Sequence, residues 1–161
     1  EKDLWPARAK DYAAMTTAER AEYADDLLAN TKTLYDKTRT VSFTADQIAN
    51  GARGLLDEVA TGKVTGEEEY WSRTDLWDFQ ANIDGARVAF EGLKPLLEKK
   101  NPQLSAQIAE KFAALQALLD KTKQGDGFVS YDQLSQDQVK QLSDAVNALS
   151  EPLSQLAAAV V

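Results

Sequence analysis

Thr74-Asp75-Leu76-Trp77-Asp78-Phe79-Gln80-Ala81-Asn82-Ile83-Asp84-Gly85-Ala86-Arg87-Val88-Ala89-Phe90-Glu91-Gly92-Leu93 is the stretch on which the fold reading turns. Leu76, Phe79, Ile83, Ala86, Phe90, Leu93 and then Leu97 recur at alternating steps of three and four. That is the repeat of one face of a helix, not of a strand. With Thr74 as its cap the spacing predicts a helix over about 75–99, kinked at Pro95 because proline donates no hydrogen bond and crowds the preceding turn.

The same period recurs on both sides. Thr16 with Glu19 forms a capping-box pair ahead of Ala24, Leu27, Leu28, Thr31, Leu34 and Tyr35, which predicts a helix over about 17–39. Thr44 with Gln47 repeats the device before Ile48, Ala52, Leu55 and Val59, and Gly62 offers a stop near residue 60. Downstream, Asn101-Pro102 reads as a cap with proline in the first turn, launching Leu104, Ile108, Phe112, Leu115 and Leu119. Ser135 with Gln138 opens a last helix through Val139, Leu142, Val146, Leu149, Leu153 and Leu156, bent at Pro152. Apart from a possible extended piece at Phe128-Val129-Ser130-Tyr131, no alternating pattern survives. The expected fold is all-α, a bundle of about five helices.

A chain of 161 residues with 43% hydrophobic content can bury a core of its own. The formal charge of -8 argues against nucleic acid or anionic lipid as a main partner, since both select clustered Lys and Arg. Cysteine and histidine are both absent, which removes thiolate and imidazole chemistry. Any metal site within these residues must be built from oxygen, the donor of hard cations. No apolar run approaches the roughly 18–20 residues of a membrane span.

Between Gly66 and Asn82 five carboxylates fall close together: Glu67, Glu68, Glu69, Asp75 and Asp78. Asp75, Asp78 and Asn82 share one stripe at i, i+3 and i+7, although acids in a first helical turn also serve as ordinary dipole partners. Glu58 lies on the side of its helix that carries Gly51 and Gly54, where small residues admit another backbone. An acid so placed needs a partner, either Arg53 or Arg73 in a salt bridge or a metal ion. Thr122 to Gln133 imitates an EF-hand loop, with Gly127 and Val129 in register, but Thr122, Gln124 and Gln133 stand where its key carboxylates belong. A tight turn using Gly125 and Gly127 is expected there instead. Trp71 and Trp77 are either core residues or stacking surfaces for a polysaccharide or protein ligand.

The strings Gln47-Ile48-Ala49-Asn50-Gly51-Ala52, Leu55-Leu56-Asp57-Glu58-Val59-Ala60, Gly62-Lys63-Val64-Thr65-Gly66-Glu67-Glu68, Thr74 to Asn82 and Glu151-Pro152-Leu153-Ser154 resemble the imelysin-like domain of EfeO/EfeM-type iron-uptake proteins. The resemblance implies a paired helical bundle in an exported protein, often a lipoprotein of the periplasm or outer face of the cytoplasmic membrane. It further implies iron(II) or iron(III) as cargo, with zinc or copper binding adventitiously, and a ferrous-iron permease and a haem peroxidase as partners. Glu1-Lys2-Asp3-Leu4-Trp5 is similar to the tail of the family's His-x-x-Glu motif, which makes Glu1 its glutamate. On that alignment the motif's histidine lies upstream of residue 1, and the chain, an imelysin-like domain over 1–161, lacks its N-terminal part. Glu58, Glu68, Asp75 and Asp25 are the acids expected to converge with Glu1 on the metal. Arg73 departs from the family, which commonly carries histidine there. The implied role is non-catalytic metal binding in transport; the alternatives are a metallopeptidase-like enzyme of the imelysin group and a polysaccharide- or protein-binding helical module.

Overall fold

A computed structural model of the chain describes residues 2–161. Glu1, the expected motif carboxylate, lies outside the described residues. The chain divides into two compact units, 1–43 and 44–161. In the first, short turns precede the helix α1 (Thr17–Thr38). Met15 N–H donates to Asp3 Oδ1 at 2.8 Å, and the expected capping box is present, with Thr16 and Glu19 exchanging hydrogen bonds. Those bonds to Thr16 hold the Glu19 carboxyl below its ordinary range.

The second unit holds α2 (Ala45–Thr61), α3 (Asp75–Lys100), α4 (Pro102–Leu119), α5 (Gln136–Ser154) and the one-turn α6 (Leu156–Val160). These helices form a ring in which α2 packs on α3, α3 on α4, α4 on α5 and α5 back on α2. The apolar faces read from the sequence meet inside it. Leu56, Leu76, Phe79, Ile83, Phe90, Leu97, Ile108, Leu115, Leu119, Leu142, Leu149 and Leu153 are fully buried. Phe90 stacks on Phe112 at 5.7 Å between ring centres, and Gln80 and Gln116 exchange two amide hydrogen bonds of 2.9 and 2.8 Å across the same α3–α4 seam. Because burial of a large apolar side chain contributes about 1.5–3 kcal/mol each, this ring supplies the unit's stability.

Three expectations change in detail, and the two prolines differ in effect. The α1 stripe is not a core face within these residues: α1 has no buried residue, and Leu27, Leu28, Leu34 and Tyr35 stay 53–67% exposed. The helical core is therefore that of α2–α6. At Pro95 α3 runs on without a break, whereas the last helix is interrupted at Gln155, three residues after Pro152, giving α5 and α6. Thr74 does not cap α3 through its side chain; its hydroxyl bonds Ser72 Oγ at 2.9 Å. The extended piece lies earlier than expected, as strands β1 (Lys123–Gln124) and β2 (Gly127–Phe128), while Tyr131–Gln133 is a 3₁₀ turn. Gly125, at φ +59, takes the first corner of the hairpin, a conformation glycine adopts without steric cost. Gly127 instead lies under Trp77, whose Cζ2 would stand 2.4 Å from a Cβ there.

A single residue, Asn101, joins α3 to α4, so the two long connections, 62–74 and 120–135, fall together at the opposite end of the ring. Tyr131 ties them. Its phenol donates to the Val64 carbonyl, its N–H donates to the Arg73 carbonyl at 3.0 Å, and its ring lies over Gly66. Gly66 has φ +69, and a Cβ there would meet the Tyr131 ring at 2.1 Å. Gly66→Ala is expected to lower unfolding free energy by about 2–4 kcal/mol through combined backbone strain and overpacking. Gly51→Ala, on an open helical position with nothing within 4 Å, should raise it by about 0.5–1 kcal/mol. Urea unfolding of the two variants checks both signs.

Candidate functional site

The connection from α2 to α3 is short of apolar residues and rich in acids, so it can bury its backbone only by turning polar groups on one another. Gly62 N–H donates to the Glu58 carbonyl at 2.9 Å, ending α2, and a 3₁₀ turn over Lys63–Thr65 follows. Lys63 is buried at 9% exposure, and its ammonium forms an ion pair with the Glu68 carboxylate. Burial opposes charge on Lys63, but the Glu68 pair, with Asp78 and Glu69 nearby, outweighs it and raises the ammonium above its ordinary value. The other Glu68 oxygen lies over Gly62, 2.8 Å from where a Cβ would stand.

Asp75 opens α3 and is fully buried. Its Oδ1 accepts from the Glu69 N–H at 3.1 Å, while Oδ2, equally buried, has no hydrogen-bond partner among the described residues. The Glu69 side chain accepts from Ser72 Oγ at 3.0 Å, and its carbonyl accepts from the Arg73 N–H at 2.7 Å. Arg73 takes φ +61, an αL conformation that costs a non-glycine residue free energy. Its guanidinium lies 4.2 Å from the centre of the Tyr70 ring and donates to the Gly66 carbonyl at 3.2 Å.

The acids named from sequence are distributed as follows. Asp75 is buried at this junction, Glu69 and Asp78 are half-buried, and Glu68 is exposed, its carboxylate paired with Lys63. Glu58 contributes its carbonyl to the end of α2, but its side chain is exposed. Arg53 pairs with Asp57 at 3.6 Å, and no ion pair joins Arg73 to Glu58 among the described residues. Asp25 is exposed on α1, in the other unit. Asn82 is used structurally, its amide donating to the Leu55 carbonyl at 3.2 Å. Gly51 and Gly54 face open space, so no backbone of the described residues approaches them. Among the described residues no three of these carboxylates are arranged as a ready-made metal cage. Lys63 and Tyr131 were not singled out from sequence; a lysine between Gly62 and Val64 carries no periodic signal of burial.

Chemically, the junction offers carboxylate oxygens, a buried acceptor without a partner, and one ammonium as resident counter-charge. Such an oxygen-only set suits a hard cation. The Trp77 ring meets Phe128 edge-on at 5.3 Å, and Trp71 meets Tyr70 likewise at 4.9 Å, so both indoles pack against neighbours in these connections.

Comparison with known proteins gives a consistent picture. The family model for imelysin matches residues 1–156. An EfeM/EfeO family lipoprotein of Staphylococcus haemolyticus (strain JCSC1435) is 49% identical over 134 residues, covering 83% of this chain and 47% of the relative. One from Staphylococcus aureus (strain MRSA252) is 46% identical over 135 residues, covering 83% and 48%. The chain thus spans about half the length of the curated relatives it matches. No described helix is long and apolar enough to cross a membrane.

Tyr131 gives this junction a measurable signature. Burial, reinforced by the negative charge of Asp75, raises its phenol above 10.0. A folded value above the unfolded one means stability that is complete below about pH 10 and lost as pH climbs through the folded value. Lys63 acts in the same sense from 10.5 upward. Tyr131→Phe is expected to lose about 1–3 kcal/mol at neutral pH, because the buried Val64 carbonyl loses its donor, and to show a shallower decline above about pH 10. Urea unfolding across the alkaline range measures both; slopes matching the unaltered chain would exclude the phenol as a contributor.

Proposed function

This chain belongs to the imelysin family, and we propose that it binds a hard metal cation, iron in the first instance, as cargo of an extracytoplasmic iron-uptake system. The observation that carries the reading is Asp75: a carboxylate fully buried at a helix start, one oxygen held by the Glu69 N–H and the other without a partner. Burying an acceptor unsatisfied costs free energy, and a cation recovers that cost in a way water-exposed acids such as Asp25 do not need. Glu68, Glu69 and Asp78 lie in the same junction and supply further oxygens once the ion is present. Neutral oxygen donors such as the nearby Ser72 hydroxyl complete the kind of shell that iron and manganese accept.

Export follows from the relatives, whose names call them lipoproteins, and their EfeM/EfeO designation supports iron uptake as the setting. In that setting a membrane permease receives the ion, and a haem peroxidase is the expected third component. A carrier must release what it holds, and carboxylate ligands allow this because protons compete with the metal for the same oxygens. The roles of Glu1 and Glu58 belong to the same proposal: Glu1 as the motif ligand, Glu58 as an acid that joins when the site is filled.

Anaerobic ferrous-ion titration tests the reading. Asp75→Asn is expected to weaken binding at least about tenfold, the effect of losing one charge-assisted ligand, while the metal-free fold stays as stable or gains stability. Asp25→Asn serves as the comparison for a solvated acid. Indistinguishable ferrous affinity of Asp75→Asn and the unaltered chain would end the proposal.

A further inference from the structure

We propose that the apolar face of α1 is a docking surface for an amphipathic helix supplied by the half of the family polypeptide that this chain does not span. At about 100° per residue Tyr23, Leu27, Leu28, Thr31, Leu34 and Tyr35 fall within an arc of about 140°, and Glu22, Asp25 and Asp36 lie on the other side. Such a stripe marks a helix with a partner, yet α1 has no buried residue among the described residues, and Leu27 and Leu34 stay 67% and 62% exposed. The polar groups on the face are already provided for. Thr31 Oγ1 donates to the Leu27 carbonyl at 2.7 Å, and Arg20 Nη1, at the start of the stripe, donates to the Met15 carbonyl at 2.6 Å. The face can therefore be covered without either group losing its hydrogen bond.

A second helix is the partner this face fits. Ala24, Leu27, Thr31 and Leu34 alternate by three and four, so small residues stand between leucines and leave room for side chains of a helix crossing at a shallow angle. An anionic membrane surface fits poorly, since Glu19, Glu22, Asp25, Asp26 and Asp36 outnumber Arg20, Lys32 and Lys37 on α1. Length points to the source of the helix: the Staphylococcus haemolyticus and Staphylococcus aureus relatives are matched over 47% and 48% of their own lengths, so more than half of each lies outside the shared span. A segment of the same polypeptide meets α1 at an effective concentration that a second copy does not match. With nothing buried, a helix of 22 residues is marginal in water even with its capping box, and the partner gives it the apolar contact it lacks. None of this involves Asp75, so the docking surface and the metal reading can fail separately.

Amide hydrogen exchange on the whole chain tests the surface. In the chain alone, dilute or concentrated, α1 amides should exchange at least about a hundredfold faster than those of α3. Adding the part of the Staphylococcus haemolyticus relative that lies outside the shared span should give a one-to-one complex and slow α1 exchange about a hundredfold. Leu27→Glu should weaken that complex at least about tenfold, and Asp36→Asn, on the opposite side of α1, should leave it unchanged. Should the relative's part not fold by itself, exchange is read in a chimaera in which this chain replaces the shared span of the relative. There, α1 protected like α3 bears the proposal out, and α1 exchanging as in the chain alone overturns it. Slow α1 exchange in the chain alone overturns it too, pointing to a second copy if protection rises with concentration and to packing within the chain if it does not. A complex that leaves α1 unprotected, or no complex with a folded partner part, has the same result.

Discussion

A carboxylate with no access to water stands at the first residue of the longest helix, and the acidic end of the bundle is shaped around it. To reach Asp75 Oδ1 the chain must bring the Glu69 N–H back over the helix start. Closing that short path forces Arg73 into the left-handed region, at a cost of about 1–3 kcal/mol that surrounding contacts must offset. They do so from two directions: the Arg73 side chain stacks on Tyr70 and bonds Gly66, and its carbonyl receives the Tyr131 N–H from the other connection. Strain, burial and an orphaned acceptor thus coincide at one place, a combination typical of sites kept for function more than for stability.

The rest of the unit is a rigid support for that place. The ring of α2 to α5 needs no polar group from the junction for its packing, and its polar contacts, such as the Gln80–Gln116 pair and the bond from Lys100 Nζ to the Val160 carbonyl, lie along seams or at the far end. Acidic side chains at one end of the ring can therefore rearrange around an ion without disturbing the core. On the proposed reading, this separation of scaffold from chemistry would let the bundle take up an ion and release it.

Helices were legible in the sequence because their physics is local. The alternation of three and four that set Leu76, Phe79 and Ile83 on one face is the same alternation that buries them, and Thr16, Asn101 and Ser135 cap where their side chains can reach a free N–H. What the period could not say is which faces find a partner: the stripe of α1 reads like that of α3, yet Leu27 and Leu34 stay exposed while Leu76 and Phe79 do not. At the site, Glu68 and Asp75 stood out because carboxylates are conspicuous in a short segment. Lys63 and Tyr131 did not, since their importance comes from contacts with Glu68 and with Val64, Gly66 and Arg73 that no spacing rule encodes. Glu58 illustrates the converse: small residues beside it suggested crowding, but Gly51 and Gly54 look onto open space.

Trp77 leaves α3 partly exposed and lies across Gly127 and Phe128 of the hairpin, on the residue two beyond Asp75. An indole held between a turn and a helix start emits according to how firmly the turn is seated, because seating decides how much water its ring meets. Trp77 is therefore an optical reporter seated against that turn, and with Trp5 and Trp71 replaced the colour of its fluorescence would register small shifts at this end of the bundle without any added label.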